Sequence, residues 1–96
     1  MSCTFKGTGT FHFSNFTSHT ITGVDLLAVV GGATVNNSVN MHPGDARFFY
    51  RIEPGTYDIQ VTVSDGVGTF IAFNDIPVEE SGFVYQDLDD AELPAP

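Results

Sequence analysis

The chain holds 96 residues, 42% of them hydrophobic with nine Phe and no Trp, which suits one domain around one core and is too short for two. Twelve acids against three bases give a net charge of −9, a balance that excludes a broad electrostatic grip on nucleic acid or anionic lipid. The single cysteine, Cys3, excludes an intrachain disulfide framework and a multi-cysteine zinc site, and the longest apolar run, residues 26–30, falls far short of the roughly 20 residues that cross a bilayer.

Alternation of apolar and polar residues, punctuated by Gly, Pro, Asn and Asp, predicts strands throughout. Residues 1–9 read as a flexible N-terminal segment. The first strand covers 10–16, with Phe11 and Phe13 on one face and His12 and Ser14 on the other. A longer strand over 20–30 carries apolar residues on both faces, as a central strand or one that changes sheet would, and Gly23 and Asp25 mark a bend or bulge. Gly31-Gly32 turns the chain into a strand over 34–41, alternating Val35, Asn37, Val39 and Met41. The turn His42-Pro43-Gly44-Asp45 leads into 46–52. Next, Glu53-Pro54-Gly55-Thr56 has the composition of a type II turn, with Pro setting φ and Gly55 supplying a positive φ.

The clearest strand is 57–64: Tyr57, Ile59, Val61 and Val63 face one way, and Asp58, Gln60, Thr62 and Ser64 the other. Asp65-Gly66 is a hairpin signal, followed by a strand over 69–78 whose Pro77 suits an edge or an exit. After Glu79-Glu80-Ser81-Gly82 comes a last strand over 82–88, and residues 89–96 read as an acidic, proline-containing tail. Seven short strands with turns every 8–12 residues predict an all-β fold: an antiparallel, immunoglobulin-like sandwich over 10–88, with a small closed barrel as the alternative. The paired cysteines and tryptophan of true immunoglobulin domains are absent. The predicted core is therefore Phe11, Phe13, Val24, Leu26, Val39, Phe48, Ile52, Tyr57, Ile59, Val61, Val63, Phe73, Ile76 and Val84.

Charge is divided along the chain. Residues 1–52 hold Lys6, Arg47 and Arg51 against Asp25 and Asp45, whereas residues 53–96 hold ten acids and no base. In one compact unit this split predicts a negative face or edge. The strand Arg47-Phe48-Phe49-Tyr50-Arg51 places aromatics on both faces. With Phe48, Tyr50 and Ile52 inward, Arg47, Phe49 and Arg51 form an outer basic and aromatic strip, the candidate ligand-binding residues.

The remaining candidates for chemistry are sparse. His12, His19 and His42 share no metal-ligand spacing. Glu79-Glu80 and Asp87, Asp89 and Asp90 are the acid clusters; they sit at strand ends, and the last three are the candidate metal ligands, for calcium if any cofactor is bound. No calcium-loop sequence and no nucleophile with a positioned base is present, so no catalytic residue is assigned. Cys3 is either a tail thiol or the anchor of a lipoprotein. Asn15-Phe16-Thr17 and Asn36-Asn37-Ser38 match the glycosylation sequon, but Asn15 and Thr17 are better read as side chains that bond turn backbone.

The ordered set Phe13-Ser14-Asn15-Phe16-Thr17, Thr20-Ile21, Met41-His42-Pro43-Gly44-Asp45 and Ile52-Glu53-Pro54-Gly55-Thr56-Tyr57-Asp58-Ile59 resembles a group of small bacterial domains. The resemblance covers residues 11–88 and implies an immunoglobulin-like sandwich, often exported, in a group without an assigned function. The sequence departs from that group in showing no export signal and in its plain loop Gly31-Gly32-Ala33. Together these readings predict a non-enzymatic interaction or structural module, outside the cytoplasm, that contacts another protein or a copy of itself. A carbohydrate- or calcium-binding module is the alternative.

Overall fold

Turn residues cut the chain into seven strands at nearly the places that alternation predicts. The computed structural model describes residues 9–64 and 66–94. The strands are β1 (Gly9–Phe16), β2 (Ile21–Gly31), β3 (Val35–Met41), β4 (Ala46–Ile52), β5 (Gly55–Val63), β6 (Gly68–Val78) and β7 (Phe83–Asp89), followed by a 3-10 turn, Asp90–Glu92. They form two separate sheets, β4-β1-β7 and β3-β2-β5-β6, so the molecule is a β-sandwich and not a closed barrel. Neighbouring strands run antiparallel with one exception, β1 beside β7, which pair in parallel and bring the two ends of the fold together.

The inner faces of both sheets make one core. β5 follows its pattern without deviation: Tyr57, Ile59, Val61 and Val63 are buried, while Asp58, Gln60 and Thr62 are half-exposed. Phe11 and Phe13 from β1 meet Val24 and Leu26 from β2, and Leu88 closes the core from β7. The bulge that Gly23 suggested is present, as a register shift between Ile21 and Gly23 against both neighbours of β2. Val39, Phe73, Ile76 and Val84 pack against the core half-buried, whereas Ile21, Met41, Phe49, Val78 and Leu88 complete it without having been expected.

Tyr57 shows how a turn is tied to the core. Its hydroxyl donates to the Glu53 carbonyl (2.5 Å) and accepts from the Ala33 N–H (3.2 Å), joining the start of β5 to the β2–β3 loop. Gly32, at φ 66°, lies so close that a Cβ there would overlap the Tyr57 hydroxyl. Gly55 departs from the type II expectation: its φ is not positive, and it is glycine because a Cβ would press on the backbone of Val30 and Gly32. The second Pro-Gly turn does behave as expected. Gly44 has φ 92°, and the Asp45 N–H donates to the His42 carbonyl at 2.9 Å.

Two further expectations are corrected. Phe48 is not core: β4 buries Phe49 and Ile52, three residues apart, because one extra residue is accommodated between them at Arg51, whose φ is 60°. The segment from Asp89 is not wholly a tail, since Asp89 ends β7 and caps the 3-10 turn, and Leu93 packs against the core. The N-terminal expectation, with Cys3 and Lys6, lies outside the described residues apart from Gly9, which begins β1.

Candidate interaction surface

Alternation fixes what the three-stranded sheet shows to solvent. Phe11 and Phe13 point inward, so Thr10, His12, Ser14 and Phe16 of β1 point outward. Register then places Phe48 of β4 and Tyr85 of β7 on either side of His12, and Phe83 beside Thr10. The His12 ring lies 4.5 Å from Phe48 and 5.1 Å from Tyr85. Phe48 continues to Tyr50 at 5.8 Å, and Tyr85 to Phe83 at 6.2 Å. Five rings therefore run unbroken across the sheet from β4 through β1 to β7.

Four of these rings stay open to solvent: Phe48 is 44% exposed, Tyr50 66%, Phe83 62% and Tyr85 62%. Phe16 joins them on the same face, so five of the eight large hydrophobic side chains exposed among the described residues belong to this one surface. Thr10 and Ser14 occupy its central row yet are buried, as is the His12 Nδ1 atom, which has no hydrogen-bond partner. The two edge strands differ in charge, with Arg47 and Arg51 on β4 and Asp87 and Asp89 on β7; Asp87 and Asp89 share the outer face with the rings, whereas Arg47 is in phase with Phe49.

The residues expected to form a basic and aromatic strip are separated. Arg47 and Arg51 are exposed, but Phe49 is only 8% exposed and stacks 6.0 Å from Phe11 in the core. The extra residue at Arg51 reverses the phase of β4, so Phe48 and Tyr50 take the outer face in place of Phe49. The outer row was missed for that reason. Its sequence signals are the alternating pairs Phe48/Tyr50 and Phe83/Tyr85, which become one surface only when β1 lies between β4 and β7.

The candidate metal ligands do not converge. Asp87 lies on the outer face beside Ser14. The Asp89 carboxylate accepts from the Ala91 N–H (3.0 Å), while Glu92 accepts from the Asp89 N–H (3.1 Å), a capping box at the 3-10 turn. Asp90 Oδ1 accepts from both the Ser18 N–H (2.9 Å) and the Ser18 hydroxyl (3.1 Å). Among the described residues no three His, Cys, Asp or Glu side chains are grouped to hold a metal ion. His42 sits 3.6 Å from Asp45 on an exposed turn, and the His19 carbonyl accepts from Asn15 and Thr17. No helix among those residues is long and apolar enough to cross a membrane.

Asn15 is a structural residue. Its buried amide donates to the carbonyls of His19 (2.8 Å) and Met41 (2.9 Å), and its Oδ1 accepts from the N–H (2.9 Å) and hydroxyl (2.6 Å) of Thr17. Both amide hydrogens and the oxygen are thus engaged, as the local reading of Asn15 and Thr17 expects, and the bond to Met41 extends that reading across the two sheets. Asn36, in the second sequon, is exposed on β3.

The fold and the surface together define an all-β sandwich whose smaller sheet carries an open aromatic face. The chain matches no protein-family model, no curated protein and no solved structure.

Proposed function

We propose that this domain is a non-enzymatic interaction module that binds another protein through the outer face of its three-stranded sheet. The observation that carries this reading is the continuous row Tyr50, Phe48, His12, Tyr85 and Phe83, exposed at both ends. Contiguous exposed apolar surface is uncommon on monomeric soluble proteins and marks sites of association. Tyr and Phe are enriched at the centres of protein interfaces, where a stiff ring gains much contact for little lost entropy. The resemblance to exported bacterial sandwiches supports a setting outside the cytoplasm.

The test uses a photo-crosslinking phenylalanine analogue placed singly at Phe48, Tyr85, Gln60 or Thr22 in the full chain, in the cells that make it. The first two positions lie on the aromatic face and the last two on the opposite one. Protein adducts are expected from Phe48 and Tyr85 and not from Gln60 or Thr22. Equal adducts from both faces, or none from Phe48 and Tyr85, refute the reading.

A further inference from the structure

We propose that the open edge of β7 is a docking strand for an extended, lysine- or arginine-bearing segment of another protein, which pairs there as a fourth strand of the sheet. This rests on the reading of the domain as an interaction module, and it names the partner's chemistry.

Two open sheets have four edges, and unpaired edges are normally blunted against association. Three of these edges are. β4 carries the bulge at Arg51 and two arginines. β6 has two register shifts, a positive φ at Asp75 and Pro77 near its end. β3 has a register shift and a polar run, Asn36-Asn37-Ser38. The fourth, β7, pairs with β1 at every residue from Phe83 to Asp89 without a shift, and it contains no proline and no positive φ. Among the described residues nothing pairs with its other side.

The backbone phase shows what that side offers. The Thr10 N–H donates to the Gly82 carbonyl (2.9 Å), so in a parallel ladder residues 82, 84, 86 and 88 turn their polar groups toward β1. Phe83, Tyr85 and Asp87 therefore turn theirs outward. Alongside lies a groove of about 420 Å3, whose lining includes Ile76, Pro77, Glu79, Phe83, Val84 and Tyr85. An added strand would sink alternate side chains into this groove against Ile76, Pro77 and Val84. Its other side chains would stand beside Phe83, Tyr85 and Asp87 on the outer face.

Charge selects the occupant. Glu79, Glu80 and Asp87 surround the edge, and among the described residues no lysine or arginine pairs with them. Cations on the outer row of an added strand would meet Asp87 as a cross-strand pair and the rings of Phe83 and Tyr85 through their π faces. A second copy joined β7 to β7 would instead set one acidic edge against another. The recognised segment is thus extended, with apolar residues alternating with Lys or Arg.

The probe is a nine-residue peptide alternating valine with lysine, titrated against the full chain. Replacing its lysines by glutamates, or introducing Asp87→Lys in the protein, should weaken binding at least about tenfold. Of two peptide copies N-methylated on one or the other alternate set of amides, one should lose about tenfold or more and the other stay within about threefold. Tyr85→Pro, which removes an outward N–H and leaves the ladder to β1 intact, should also abolish binding; its folding is checked by circular dichroism. If that variant does not fold, the N-methylated pair makes the same test from the peptide side. Equal binding of lysine and glutamate peptides, indifference to N-methylation, or a β7-dependent homodimer in sedimentation equilibrium overturns the proposal. Crosslinks from Phe48 that persist alongside such a result leave the interaction module standing and remove only the docking strand.

Discussion

On the outer face of the four-stranded sheet, short polar side chains bond to one another across strands. Thr62 and Thr69 share a hydroxyl–hydroxyl bond of 2.9 Å, and Asp25 accepts from the Asn37 N–H (3.1 Å) and stands 3.5 Å from the Gln60 amide nitrogen. On the three-stranded sheet the corresponding row is Tyr50, Phe48, His12, Tyr85 and Phe83, which touch through ring faces and edges. Both rows follow from the same two-residue alternation over one core. The polar row pairs its hydroxyl, carboxylate and amide groups across neighbouring strands. The aromatic row is mostly apolar ring surface, its polar groups being the Tyr50 and Tyr85 hydroxyls and the His12 ring nitrogens, and it would gain from being covered, at about 25 cal/mol per Å2 of apolar surface removed from solvent. The outer face of the larger sheet carries apolar side chains such as Ile71, opposite Gln60, among its polar ones, whereas the smaller sheet's rings form a continuous row, and that continuity is what suits the second face to contact.

The strongest way to break this comparison is to exchange the two faces of β4. Phe49→Ala should cost about 3–5 kcal/mol, as truncation of a buried Phe usually does. Phe48→Ala should cost less than about 1 kcal/mol, since it removes an exposed ring from a sheet surface. Urea denaturation of both variants measures the difference. The opposite ranking would return Phe48 to the core and dissolve the aromatic face.

Next in size is Asn15, which joins the sheet bearing the aromatic row to the sheet bearing the polar one through the Met41 carbonyl. Asn15→Ala takes the side-chain partner from the Met41 carbonyl and the Thr17 N–H, and should cost about 2–4 kcal/mol. Asn15→Asp keeps the acceptor for Thr17 but turns a carboxylate oxygen toward the two carbonyls, so it should not restore stability at neutral pH. Thermal unfolding of the two variants reads this. A wild-type midpoint for either would mean that the sheets are held together by apolar packing alone.

How legible these features were depends on whether their cause is local. The inward face of β5 could be read in full because Tyr57, Ile59, Val61 and Val63 alternate strictly with polar residues, although the strand begins two residues earlier, at Gly55. The side-chain bonds of Asn15 to Thr17 were legible for the same reason, since an Asn two residues before a Thr bonds its own turn. The phase of β4 was not, because Phe48-Phe49-Tyr50 is apolar on both faces and the deciding bulge sits at an arginine, with no glycine to mark its positive φ. Nor was the parallel pairing of β1 with β7, which joins strands about 70 residues apart and leaves no mark in either one. The aromatic face needs both of these, so single strands could show its parts but not its extent.

The smallest effect sharpens the comparison from the polar side. A double-mutant cycle on Thr62→Ala and Thr69→Ala should give a coupling of only about 0.2–0.5 kcal/mol, because water replaces each hydroxyl when its partner is removed. Neither single variant should alter crosslinking from Phe48 or Tyr85. A coupling above about 1 kcal/mol would mean that the polar row contributes to holding the sheet together and is more than a solvated surface. In that case the two faces would differ in how they stabilise the sandwich, and the exposed rings would lose part of the contrast that marks them as a place to bind.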